Sequence, residues 1–179
     1  ADLVDKKAWT LKKIGLCLRR LGRNEEALEY YLQACQMEPE NIHTIIMTAH
    51  CYLDLKYYEQ ALKYYFRIEY NEPDNLKILR PIAFCYFALG RFDDSEKYYD
   101  RLSTGKLNAH DHINIGHLAL CRRRKREAID MYRKSIISGE LSKEQFMIIF
   151  TEDRALLISH GVNPDDLPIL LDYLLFTIV

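Results

Sequence analysis

Turn-forming residues are scarce in this chain: 179 residues contain only 7 glycines and 5 prolines. So few argue against a β-sandwich or barrel and favour long helices. Charge of one sign is also lacking. The 25 Lys and Arg nearly balance 26 Asp and Glu, for a net charge of −1, which argues against a charge-driven nucleic-acid binder. No long hydrophobic run is present. The longest, from Leu167 to Val179, is broken by Pro168 and Asp172 and is too short to span a bilayer, so no membrane partner is expected. The start, Ala1-Asp2-Leu3-Val4-Asp5, has neither a basic nor an apolar leader pattern. The 5 cysteines are odd in number and include no CxxC pair. They are expected to stay reduced, as in a cytoplasmic protein. No GxSxG, HExxH or GKS/T motif occurs. Each glycine also has a structural place, so none is left for a phosphate-cradling loop. Neither an enzyme nor a cofactor is expected. At 49% hydrophobic and 28% charged residues, the composition is that of a globular domain.

What is present is a period. Cys17, Cys51 and Cys85 are spaced 34 and 34 residues apart. Ala27, Ala61, Ser95 and Ala128 repeat at 34, 34 and 33, each followed four residues later by Tyr31, Tyr65, Tyr99 or Tyr132. Twelve residues before each small residue stands another: Gly15, Ala49, Ala83 and Gly116. Each unit reads as two helices crossing at the small residues, with the tyrosine filling the space between. Pro39 and Pro73 close the first two units. Pro81, inside the first helix of the third unit, is expected to kink or delay it.

This pattern resembles the tetratricopeptide repeat, a 34-residue helix–turn–helix. The resemblance covers about residues 7–140. It implies an all-α, right-handed αα-superhelix of four repeats: a lead at 1–6, then 7–40, 41–75, 76–108 and 109–140. Residues 141–179 are expected to form a capping helix pair. One helix runs from the Ser142-x-x-Gln145 capping box to Gly161, and the other opens at Asn163-Pro164-Asp165-Asp166. The family's tryptophan position holds Leu11, Ile45, Leu79 and His112. The closing proline is replaced by Leu107 and Glu140 in the last two repeats.

In that family the first helix of each repeat lines a concave face, which implies a peptide groove. The implied stripe is Trp9, Lys12, Leu16 and Arg19; His43, Ile46, His50 and Leu53; Lys77, Arg80, Phe84 and Phe87; and His110, Ile113, His117 and Leu120. Of these sixteen, four are Lys or Arg, four are His, eight are apolar and none is acidic. The expected partner is another protein, offering an extended or helical segment with carboxylates and apolar anchors. Protonation of the histidines is expected to tighten binding below about pH 6.5. The family's carboxylate clamp is mostly absent, because Leu16, His50 and Pro81 stand where Asn, Asn and Arg are needed.

Other readings attach to particular residues. His110, His117 and Cys121 share a helical face and form an alternative metal site, although the main expectation is no metal. Arg122, Arg123, Arg124, Lys125 and Arg126 form a basic turn that would suit an RNA-associated adaptor. No aromatic residues interleave there to stack bases. A secretion-type chaperone is a further alternative, since short repeat chains of this family cradle translocated proteins. Residues 140–179 carry a net −5 against +4 for the remainder. The final helix is apolar on nearly all sides, so it is expected to cap repeat four, pair with a second copy as a homodimer, or enter the groove.

Overall fold

The structure, a computed structural model, describes residues 2–73 and 75–177. Every element among them is helical. The helices are α1 (Asp2–Arg20), α2 (Asn24–Met37), α3 (Ile42–Asp54), α4 (Tyr58–Glu69), α5 (Leu76–Ala88), α6 (Phe92–Ser103), α7 (Ala109–Cys121), α8 (Lys125–Ile137), α9 (Lys143–Glu152), α10 (Arg154–Ser159) and α11 (Asp166–Thr177). Two compact units emerge, Ala1–Cys85 and Tyr86–Val179.

In the first unit, α1 pairs with α2 and α3 with α4. Gly15 lies so close to Tyr31 that a Cβ there would stand 2.9 Å from the ring. Ala27, Ala49 and Ala61 are buried at the equivalent crossings, and Tyr31 and Tyr65 are buried with them. Burial of such a ring stabilises by about 1.5–3 kcal/mol. Leu18, Ala27, Tyr31 and Cys51 form one core cluster, extended by Leu28, Tyr30 and Met47. The Tyr31 hydroxyl in that cluster is buried with no hydrogen-bond partner among the described residues. The second unit repeats the crossing in α7 and α8, where a Cβ on Gly116 would lie 2.5 Å from Tyr132.

Each helix pair turns through one left-handed residue: Gly22 (φ 75), Lys56 (φ 63), Gly90 (φ 72) and Arg123 (φ 60). The residue after it donates its N–H back to the helix end, as in Arg23 to Leu18 (2.9 Å) and Tyr57 to Tyr52 (2.8 Å). The same closure recurs from Arg91 to Tyr86 (2.9 Å) and from Arg124 to Ala119 (2.8 Å). This is the Schellman closure that ends a helix. The first helices of later pairs begin on side-chain caps. Asn41 accepts from the N–H of Thr44, and Asn108 with Asp111 and Ser142 with Gln145 form capping boxes.

The boundaries depart from expectation at three places. The segment read as a lead, 1–6, enters α1 already at Asp2. Pro81 does not delay α5, which starts at Leu76 and runs through it. The carbonyl that Pro81 leaves unbonded belongs to Lys77, an exposed residue of the first turn where water is at hand. The C-terminal pair is three helices, because the expected first helix is interrupted at Asp153 between α9 and α10.

Candidate functional site

The stripe residues of the first unit lie on α1, α3 and α5. Trp9 is 58% exposed, with the Lys13 ammonium 5.4 Å from its ring centroid. His43 and Lys77 are exposed, Ile46 is buried, and Leu16, Leu53, Arg80 and Phe84 are half-buried. The Tyr58 ring meets Phe84 edge-on at 6.2 Å.

Two of the cations are already partnered. Lys12 Nζ pairs with Glu38 at 2.7 Å, and Arg19 Nε with Asp54 at 2.5 Å. Glu38 stands in the turn after α2 and Asp54 at the end of α3, beside the stripe rather than on it. Counting charges on the stripe alone therefore overstated its positive character. The signal that could have found these acids was the Glu-Pro closing the first repeat and the four-residue step from His50 to Asp54.

His50 also departs from expectation. Its Nδ1 lies 2.6 Å from the Tyr65 hydroxyl. Burial, reinforced by the nearby Arg19 charge, pushes its pKa down to about 4. It therefore stays neutral where the stripe histidines were expected to titrate.

The second unit presents its stripe differently. Phe87 and His117 are 0% exposed; Ile113 and Leu120 are buried, while His110 is exposed. His117 Nδ1 is 2.8 Å from the Tyr132 hydroxyl, and its Nε2 is 3.2 Å from the Asp153 carboxylate. The carboxylate only accepts, so Nε2 donates, and in the neutral ring Nδ1 accepts from Tyr132. Phe150 packs 5.6 Å from His117, and His160 meets Phe87 and Phe92 edge-on at 5.4 and 5.3 Å. The segment from α9 to the end of α10 thus covers this part of the stripe.

The remaining readings also meet the structure here. Both nitrogens of His117 are engaged as described, and no group of three potential ligands among the described residues could hold a metal ion. This corrects the alternative built on His110, His117 and Cys121. All five cysteines are free thiols. In the basic turn, Arg122 pairs with Asp93 and Glu96, Arg124 with Glu96 and Glu127, and Lys125 with Asp166. Arg123 and Arg126 are exposed. The run is therefore a largely compensated surface rather than an open cationic patch. Among the described residues, no helix is long and apolar enough to cross a membrane.

Comparisons with known proteins agree with this architecture. The sequence model of the tetratricopeptide repeat family matches residues 8–41. No curated protein matches the sequence. A tetratricopeptide repeat protein from Parabacteroides merdae superposes with a TM-score of 0.69 at 20% identity, covering 89% of this chain and 62% of that one. A thermophilic TPR protein of Thermus thermophilus gives 0.64 at 17% identity, covering 94% and 99%. PilF of Pseudomonas aeruginosa gives 0.61 at 21% identity, covering 83% and 68%. The family matched is a repeat family and not a catalytic one. Residues 8–41 thus carry the signature of a tetratricopeptide repeat, and the chain shares its all-helical fold with solved repeat proteins.

Proposed function

We propose that this chain is a protein-interaction scaffold whose open binding surface is the stripe of the first unit. The observation that carries this reading is the contrast between the two units. Trp9 is 58% exposed, and His43 and Lys77 are exposed beside half-buried Leu16, Leu53 and Phe84. In the second unit Phe87 and His117 are buried, with Phe150, Asp153 and His160 lying against them. An exposed Trp beside half-buried aliphatic and aromatic side chains suits anchors of a peptide segment. Lys12 and Arg19 already have carboxylate partners. A ligand acid therefore meets Lys77 first, and apolar anchors supply most of the affinity. The free thiols suit a reducing compartment, and we place the protein in the cytoplasm on that ground.

Selection from a random peptide library tests this reading. Wild-type protein should enrich peptides with aromatic or aliphatic residues near an acid. The Trp9→Ala, Phe84→Ala double variant should lose them by at least about tenfold in Kd, the weight of one good anchor. Enrichment of the same peptides by that variant, folded by circular dichroism, would overturn the stripe as the binding surface.

A further inference from the structure

A face of α1 beside its core-facing side carries Leu3, Thr10, Ile14 and Cys17, continued by Leu21 just past its end. At 100° per residue these five fall within one narrow sector of the helix. All are exposed, Leu21 to 71%. The repeat period gives this face a meaning. Thirty-four residues after Thr10, Ile14 and Cys17 come Thr44, Thr48 and Cys51, and a further 34 on come Ile78, Ile82 and Cys85. All six are buried. In α3 this face rests on the preceding second helix, with Thr48 Oγ1 3.2 Å from Cys35 Sγ on α2. The α1 face is therefore built to lie on a second-type helix, and none of the described residues covers it.

The molecule also carries a helix with an exposed apolar stripe. The helices α3, α5, α7 and α9 begin at 42, 76, 109 and 143, so α9 opens a fifth first-type helix. The next full helix, α11, lies against α8, where Arg133 donates to the Tyr173 hydroxyl at 3.0 Å. It buries Leu167 and Leu174 but exposes Ile169 (68%), Tyr173 and Phe176 (82%) along one stripe. Charge matches as well. Lys7 and Arg20 flank the α1 face, and Asp165 and Asp172 border the α11 stripe, beside an Asp166 already held by Lys125. Apolar stripes framed by opposite charges favour one partner and one orientation.

We infer that copies of this chain associate head to tail, the open face of α1 on one copy seating the Ile169–Tyr173–Phe176 stripe of α11 on the next. The contact gives the α1 face the kind of helix neighbour its counterparts on α3 have and is heterologous, since each face meets a different one. It uses neither Trp9 nor Phe84 and so stands apart from the peptide surface proposed above.

Sedimentation velocity on the full chain, from low to several hundred micromolar, tests this with Leu21→Glu and Ile169→Glu. Both sites are among the most exposed on their faces, and circular dichroism confirms that each variant folds. Wild type should gain mass with concentration and lose it in high salt, because the flanking charges are screened. Each variant alone should stay monomeric, its self-association weakened at least about tenfold. An equimolar mixture should form dimers and stop there, because Leu21→Glu keeps an intact α11 and Ile169→Glu an intact α1. A monomeric wild type throughout would overturn the inference. So would a Leu21→Glu variant that dimerises alone, which would mark a symmetric α11 contact, or an α1 face already covered by another segment of a longer chain.

Discussion

His50 and His117 occupy the same place two repeats apart, and each places its Nδ1 against the hydroxyl of a tyrosine 15 residues on. The sequence marks both as stripe histidines, but their surroundings decide their chemistry. His50 is neutral in the folded protein down to about pH 4 and free to protonate near 6.5 once unfolded. The unfolded chain therefore binds more protons in that window. Its contribution to stability is complete above about pH 6.5 and is lost as pH falls from there toward 4, by at most about 3 kcal/mol. Urea melts of wild type and His50→Gln at pH 7.5, 5.5 and 4.5 should show the wild-type slope flattened in the variant. An equally steep loss in both would reject the assignment. Gly116 sets a second residue-scale limit. Its missing Cβ leaves room for the Tyr132 ring at 2.5 Å, and Tyr132 is buried on every side. Gly116→Ala should cost about 1–3 kcal/mol by overpacking, read as a lowered urea midpoint with an unchanged slope. The small-residue period made this contact legible in the sequence. The pairing of Lys12 with Glu38 and Arg19 with Asp54 was less legible, because both acids stand beside the stripe rather than on it.

At the scale of elements, the four turns show one geometry met by different residues. Gly22 and Gly90 adopt the left-handed conformation without strain, whereas Lys56 and Arg123 carry a Cβ into it. Lys56→Gly and Arg123→Gly should each stabilise by about 0.5–1 kcal/mol, the relieved strain less the added freedom of the unfolded chain. A thermal melt that drops for both would contradict this. Only the glycine turns were evident from composition, since a Lys or Arg there resembles any exposed residue. The C-terminal elements show the converse. The Ser142 capping box predicts where α9 starts, and it starts there. The break at Asp153 has no such signature. The Asp153 carboxylate meets His117, a partner 36 residues away. Pro81 is the third case, a helix breaker tolerated because only one bond near an exposed first turn is lost.

For the whole molecule, the net charge of −1 is a cancellation between a basic array and an acidic tail. That division is visible in the sequence, and the inferred contact between copies uses it: basic residues edge the α1 face and acidic residues the α11 stripe. The period, the crossing glycines and the tyrosines determined the helical repeats by themselves, because each is a local steric demand renewed every 34 residues. Which stripe residues stay open was decided only by the tertiary structure. Phe87 and His117 carry the stripe spacing as faithfully as Trp9 and Phe84, yet Phe150, Asp153 and His160 lie against them. Burial there depends on side chains brought together from 33 to 73 residues apart, and no periodic signal along the chain encodes such a meeting.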